Sequence, residues 1–258
     1  MFRMLTMLLK QLLKFLNFPE KKLEKKEFLA FKSSAQSTDR FELNLKDSWY
    51  ISEKTSNTNF DRHYVYHTAW AARCVQKISP ELHIDISSSL YFCGIVSAFC
   101  KIDFYDYRPA DLVLSNLNCL RADLTSLEFP DNSIQSLSCM HTIEHIGLGR
   151  YGDPLDYDGD IKAINELKRV TAPGGNLLIV VPAGKKSKII FNAHRIYHPS
   201  LLLTYFDGFD LLDFSLIPEN GSDGGLIKNP GEYIIQTQDY ACGCYWFKKH
   251  SSDINRNG

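Results

Sequence analysis

The run Asn176–Pro182, NLLIVVP, is apolar throughout except for its first residue. A strand so continuous in apolar side chains is buried on both faces. That happens where helices pack on each side of a mainly parallel sheet. The segment before it, GDIKAINELKRVTAPGG, has apolar residues at helical spacing and a Pro-Gly-Gly stop. Upstream the alternation repeats. RHYVYHTAWAARCVQKIS predicts a helix closed by Pro80, and LHIDIS a short strand ending at Asp85. SLYFCGIVSAFC predicts a helix, and KIDFYDYRP a second strand ending with Asp106. NCLRADL predicts a third strand with Asp123 at its end. After the turn FPDNS, IQSLSCMH predicts a fourth ending at His141. FDLLDFSLI and ACGCYWFKK predict late strands on either side of the Gly-rich loop ENGSDGGLIKNPG.

Strands alternating with helices imply a Rossmann-like, doubly wound, mainly parallel α/β sheet. In such sheets ligands sit outside the carboxyl ends of the strands, where the strand order reverses. Asp85, Asp106, Asp123 and His141 all fall at that edge, although each alone also suits a helix cap or a turn. The organised domain is expected over residues 60–250. Residues 1–59 are expected to be an N-terminal helix and linker, and 251–258 a disordered tail.

The 258 residues are 44% hydrophobic, enough for one sizeable core, and the formal net charge of −1 gives no basic field for nucleic acid. Seven cysteines include no C-x-x-C pair, and their odd number argues against a closed disulfide framework. Reduced thiols in a cytoplasmic protein are expected. The first residues, MFRMLTMLLKQLLKFLNF, place Arg3, Lys10 and Lys14 at helical spacing in an otherwise apolar run. The run is too short and too charged to span a bilayer. Residues 1–18 suit a basic amphipathic helix on the inner membrane face, or equally a helix packed on the domain or on another subunit. PEKKLEKKEF reads as a solvated helix or linker, and SSAQSTDR and SEKTSNTN as loops.

His141-x-x-Glu144-His145 is the pattern of an inverted zinc peptidase, which needs both histidines on one face of a long helix. Here a strand runs into His141, and Gly147 and Gly149 follow, leaving little more than one helical turn. The downstream Glu166 is the available third ligand, but its segment has another explanation. A Mg²⁺ held by Glu144 and His145 is disfavoured because histidine suits a hard cation poorly. No metal is expected. A neutral imidazole at His145 can instead act as a general base, with His141 beside it and His194 as the reserve. In GLGRYGDPLDYDGD, Arg150, Tyr151 and Asp153 are candidates for a polar acceptor, with Glu144 close by. In FNAHR, Asn192, His194 and Arg195 are candidates from a second segment. The two arginines suit a phosphate or carboxylate, as in a nucleotide-linked or lipid-linked sugar.

The block ADLTSLEFPDNSIQSLSCMHTIEHI followed by ELKRVTAPGGNLLIVVP resembles class I S-adenosylmethionine-dependent methyltransferases. More narrowly, EHIGLGRYGDPLDYDGD, FNAHRIYHP and FSLI resemble the uncharacterised family called domain of unknown function 268, over about residues 63 to 217. The resemblance implies a seven-stranded sheet and S-adenosylmethionine as cofactor. It implies that Asp85 precedes the loop under the methionine end and that Asp106 accepts hydrogen bonds from the ribose hydroxyls. Asp123 and Leu124 would lie beside the adenine, and Met140 and His141 beside the methyl donor. One departure stands out. The loop after the first strand is normally Gly-rich, yet here Ser87, Ser88 and Ser89 occupy it. The chain is therefore expected to methylate a hydroxyl on a small or glycan-type acceptor. The alternative is a catalytically inactive, methyltransferase-like scaffold in a membrane-associated complex.

Overall fold

The computed structural model describes residues 18–34, 41–49, 51 and 53–251. They form two compact units, 1–59 and 60–258. In the first unit, helix α1 spans Phe18–Ser33 and a single 3-10 turn spans Leu45–Asp47. PEKKLEKKEF is therefore helical, and none of the first unit's described side chains is buried. The amphipathic segment expected over 1–18 lies outside the described residues apart from Phe18, and the expected tail lies outside them beyond Ser251. Among the described residues no helix is long and apolar enough to cross a membrane.

The second unit is built on one sheet. Its strands are β1 Leu82–Ile86, β2 Lys101–Asp106, β3 Leu117–Arg121, β4 Ile134–Met140 and β5 Thr171–Ala183. A hairpin of β6 Lys188–Ile190 and β7 His194–Ile196 stands apart, and β8 Phe209–Ile217, β9 Ile227–Lys228 and β10 Ala241–Lys249 complete the set. The order is β3-β2-β1-β4-β5-β10-β8-β9. β1 to β5 run parallel, while β10 lies antiparallel between β5 and β8. Seven strands make the doubly wound sheet expected from the sequence. The two-residue β9 extends it to eight at the edge, and neither β9 nor the hairpin was foreseen.

The long run at β5 shows why both faces are buried. Leu177, Ile179 and Val181 pack in one core layer with Ile164 and Leu167 of helix α4, Gly159–Val170. Leu178 and Val180 pack in the other, with Trp70 and Val75 of α2 (Arg62–Ile78) and Phe92 and Val96 of α3 (Leu90–Val96). The period-2 alternation of one strand thus feeds two layers. Two short helices, α5 (Pro199–Thr204) and α6 (Glu232–Ile235), complete the unit. The Pro-Gly-Gly stop is a bulge inside β5. Pairing with β4 jumps from Ile134–Thr171 to Ser136–Asn176, and Gly174 takes φ +73°. Glu166 is committed locally. It accepts the Leu127 amide and pairs with Arg169, which also holds Asp131 of the FPDNS turn at 2.7 Å.

The strand order reverses between β1 and β4, and a buried chain of hydrogen bonds ties the two together there. His83 contacts Ser136 Oγ through Nδ1 (2.8 Å) and Ser138 Oγ through Nε2 (2.9 Å). Ser138 Oγ donates to Asp85. With that donation fixed, Ser138 accepts from His83 Nε2–H, which leaves Nδ1 to accept from Ser136. Burial pushes the His83 pKa down to about 3, so the ring is neutral. Asp85 also accepts the Ser88 amide at 3.0 Å, and burial pushes its pKa up to about 6 against these hydrogen bonds.

A carboxyl raised from 3.8 to about 6 holds a proton in the native state that the unfolded chain has released. This group's contribution therefore favours folding below pH 4 and weakens as the pH rises through about 6. Asp85→Asn removes that component. From pH 4 to pH 7 the stability difference should shift by up to about 3 kcal/mol in favour of the variant. Denaturant melts across that range test this, and a difference that does not change with pH would contradict it.

Candidate functional site

A cavity of about 460 Å³ opens at the carboxyl edge of β1, β2 and β4, within the size range of small-molecule sites. Ser87, Asp106 and His141 line it at or just past the ends of β1, β2 and β4, with Ala122, Asp123 and Leu124 just beyond β3. His145, Tyr151 and Asp153 line it from the loop after β4. Of the residues singled out in the sequence, these eight (Ala122 was not among them) come together at one opening.

The first loop explains its serines. Ser87 sits at φ +57°, the left-handed conformation that glycine adopts freely, and its amide donates to Tyr105 O at 2.7 Å. Ser88 Oγ accepts the Met140 amide at 3.0 Å and ties the loop to β4. Ser89 caps α3, accepting the Tyr91 amide. Only Ser87 of the three lines the cavity. Asp106 accepts the Arg108 amide at 2.7 Å through Oδ1. A carboxylate offers about four acceptor positions, so this one has capacity for two hydroxyl donors. Asp123 Oδ1 accepts both the amide and the hydroxyl of Thr125, closing an Asx turn that presents buried Leu124 to the cavity.

Several expected contacts are corrected. β1 ends at Ile86, one residue past Asp85, which is fully buried and holds the loop from beneath instead of facing the cleft. Ser89 acts as the helix cap, and Met140 is enclosed in the core layer under α2 and α3. Arg195 is 4% exposed. Its guanidinium donates to Ile146 O at 2.6 Å and Tyr157 O at 2.8 Å and faces Asp160 at 3.4 Å. It clamps the loop after β4 and does not line the cavity. Asn192 takes φ +61° and donates to Leu148 O, again a loop tie. Asp153 lines the cavity, but its carboxylate accepts the amides of Gly147, Gly149 and Tyr151. Gly147 itself is fixed at φ +79°, where a Cβ would lie 2.1 Å from Asp156 O.

His141 and His145 are not on one helix. His141 stands at φ +56° just beyond β4, and Ile143–His145 form a single 3-10 turn. Both rings approach the buried Glu144, His141 Nδ1 at 2.9 Å and His145 Nε2 at 3.7 Å. His145 Nδ1 lies 2.6 Å from Ala193 O, which fixes the proton on Nδ1 and leaves Nε2 bare in the neutral ring. Arg150 Nη1 comes within 3.2 Å of the same Nδ1, but two donors cannot bond each other, and both converge on Ala193 O. Burial is the main cause lowering the pKa of His145 and also that of His194. The His194 ring is 6.5 Å from His145 and does not line the cavity, and neither does Arg150.

Sequence reasoning missed Tyr107 and Arg108, which follow β2 and line the cavity. Arg108 and Arg150 lie 4.8 and 5.2 Å from the Tyr151 ring, linking β2 to the glycine loop. Their signal was position alone, directly after Asp106. Because Arg195 pairs with Asp160 inside the protein, Arg195→Ala should destabilise the fold by about 3–5 kcal/mol, the scale for breaking a buried pair. Chemical denaturation measures this, and an unchanged midpoint would return Arg195 to the acceptor set.

Residues 126–220 match the family described as Caenorhabditis protein of unknown function, DUF268. An uncharacterized protein of Methanocaldococcus jannaschii is 31% identical over 96 residues, 35% of this chain and 37% of that protein. The chain thus matches little more than a third of this relative's length. Among solved structures, the YcgJ protein of Bacillus subtilis is similar at 13% identity and TM-score 0.49, covering 73% of this chain and 100% of that one. The cyclase SpnF is similar at 14% identity and TM-score 0.46, covering 70% and 82%. The S-adenosylmethionine dependent methyltransferase of Mesorhizobium loti is similar at 10% identity and TM-score 0.43, covering 70% and 100%. The fold is a Rossmann-like, doubly wound, mainly parallel sheet, and residues 126–220 match the DUF268 model.

Proposed function

We propose that the chain is an S-adenosylmethionine-dependent methyltransferase acting on a hydroxyl of a small or glycan-type acceptor. The observation that carries this reading is one cavity shared by Asp106 and Leu124 at one side and His145 at another. Asp106 would accept the ribose hydroxyls, and Ala122 and Leu124 would give the adenine an apolar wall. Ser87 and Thr142 would meet the methionine end beside His141. Bound S-adenosylmethionine supplies an electrophilic methyl on a sulfonium, so the protein's task is alignment and proton removal. The bare Nε2 of His145 takes the acceptor proton, and Glu144 at 3.7 Å stabilises the imidazolium that forms. Tyr151, edge-on to His145 at 5.9 Å between ring centroids, and Arg108 would bind the acceptor. A cytoplasmic, membrane-peripheral location belongs to the same proposal; the cysteine pattern supports its first part and the sequence of residues 1–18 its second.

A binding protein without catalysis is the second reading. Ser87 favours it, because its Cβ stands where a Gly-rich loop leaves room for backbone to approach a ligand. Calorimetric titration with S-adenosylhomocysteine separates the two. Under the first reading the wild type binds and Asp106→Ala weakens binding by about 1–3 kcal/mol. Under the second, at most Ser87→Gly binds. His145→Ala should keep cofactor affinity and lower turnover by about 10²–10⁴, read as S-adenosylhomocysteine release with a panel of sugar and nucleotide-sugar acceptors. Normal turnover in that variant would remove His145 as the base.

A further inference from the structure

Three side chains far apart in sequence meet just beside the cavity. His141 follows β4, His63 lies in the first turn of α2, and Cys242 is in β10. One donor atom from each lies within 4.8 Å of the other two. His141 Nε2 is 3.4 Å from Cys242 Sγ. We infer that His63, His141 and Cys242 bind a thiophilic divalent metal ion of the zinc class. The inference goes beyond methyl transfer and departs from the metal-free site expected of the sequence.

Bond lengths support it. Zinc holds thiolate at about 2.3 Å and imidazole at about 2.0–2.1 Å, so tetrahedral angles put sulfur and nitrogen about 3.5 Å apart. The His141–Cys242 pair is already at that spacing, and the half-buried His63 ring closes the set by a shift of roughly 1 Å. The tautomer is right as well. Glu144 accepts from His141 Nδ1–H at 2.9 Å, which leaves Nε2 with a lone pair aimed at Cys242. This is the carboxylate–histidine–metal arrangement that orients an imidazole ligand and raises its basicity.

A second observation points to a missing positive charge. Glu144 is 1% exposed, and its buried Oε2 has no hydrogen-bond partner among the described residues. The fully buried His67, edge-on to His141 at 4.9 Å, likewise leaves Nε2 without a partner among the described residues. Unpartnered buried polar atoms are costly, and two beside one imidazole call for compensation. A dication on His141 offsets the Glu144 charge directly. Three protein ligands leave the fourth tetrahedral position for a water or for a heteroatom of a bound molecule, the coordination of catalytic and not structural zinc. On binding, the Cys242 Sγ–H proton passes to solvent as the sulfur–metal bond forms, so one proton is released per ion.

The test is metal binding itself, and its outcome is separate from that of the methyltransferase reading. Untagged full-length protein, stripped with chelator, is titrated with Co²⁺ and then with Zn²⁺. The expected result is one equivalent of Co²⁺ with a thiolate-to-cobalt charge-transfer band, abolished by one equivalent of Zn²⁺. Cys242→Ser should lose the band and Cys244→Ser keep it. Glu144→Gln should weaken Zn²⁺ binding by about 10–100-fold. If Cys242→Ser does not fold, His63→Ala carries the test, with at least a tenfold loss of affinity expected. Absence of stoichiometric binding, or a band that survives Cys242→Ser, would overturn the site. So would a folded His63→Ala with wild-type affinity. In each case the Cys242–His141 contact would be a thiol hydrogen bond only.

Discussion

The carboxyl of Asp85 is the point on which the cleft depends. It sits in β1, accepts from Ser138 in β4 and from the Ser88 amide, and receives the Cys93 thiol of α3 at 3.6 Å. One buried group therefore joins the two strands between which the sheet order reverses, the loop that follows the first strand, and the helix after it. Burying it costs ionisation, which is why its pKa rises. The gain is a loop held in a left-handed turn at Ser87 with a side chain facing the cavity. Asp106, one strand over, lines the cavity instead, and under the proposed function its open acceptor positions meet the ligand.

The loop after β4 is organised from behind in a similar way. Arg195 and Asp160 draw it onto α4, and Asp153 gathers three of its own amides. Gly159 lets the first turn of α4 sit against Ile146 O, where a Cβ would be only 2.9 Å away. With the backbone so fixed, Glu144 accepts from His141 Nδ1–H at 2.9 Å, while His145 donates its own Nδ1–H to Ala193 O at 2.6 Å. One ring, His145, faces the cavity with a bare nitrogen. The other, His141, turns the same kind of nitrogen toward Cys242. Glu144 thus sets the tautomer of His141, and the Ala193 carbonyl that of His145.

Much of this was legible in the sequence, for a physical reason. Strands at 209–217 and 241–249 follow from runs rich in apolar and aromatic residues, and the buried β5 from NLLIVVP. The placement of Asp106, Asp123 and His145 at one edge follows from the rule that parallel strands present their carboxyl ends together. What was not legible depends on which way a polar side chain turns. Asp85 and Arg195 look like site residues by type and spacing, yet both point inward, because burial and partner geometry are tertiary properties. His63 and Cys242 carried no local signal, since 179 residues separate them and only the neighbours of β10 and α2 in the sheet packing bring them to His141. The pentapeptide His141-x-x-Glu144-His145 was informative in composition and misleading in form: its histidines converge on its own glutamate and not on one metal.

The central claim is that the opening above the β1–β4 switch is the ligand site. Hydrogen–deuterium exchange of the full-length protein, with and without saturating S-adenosylhomocysteine, tests this most directly. Slowed exchange should appear at the amides of residues 86–89, 106–108, 122–125 and 141–142, four loops distant in sequence that share this edge. Unchanged exchange in all four, or protection confined to other parts of the domain, would contradict it.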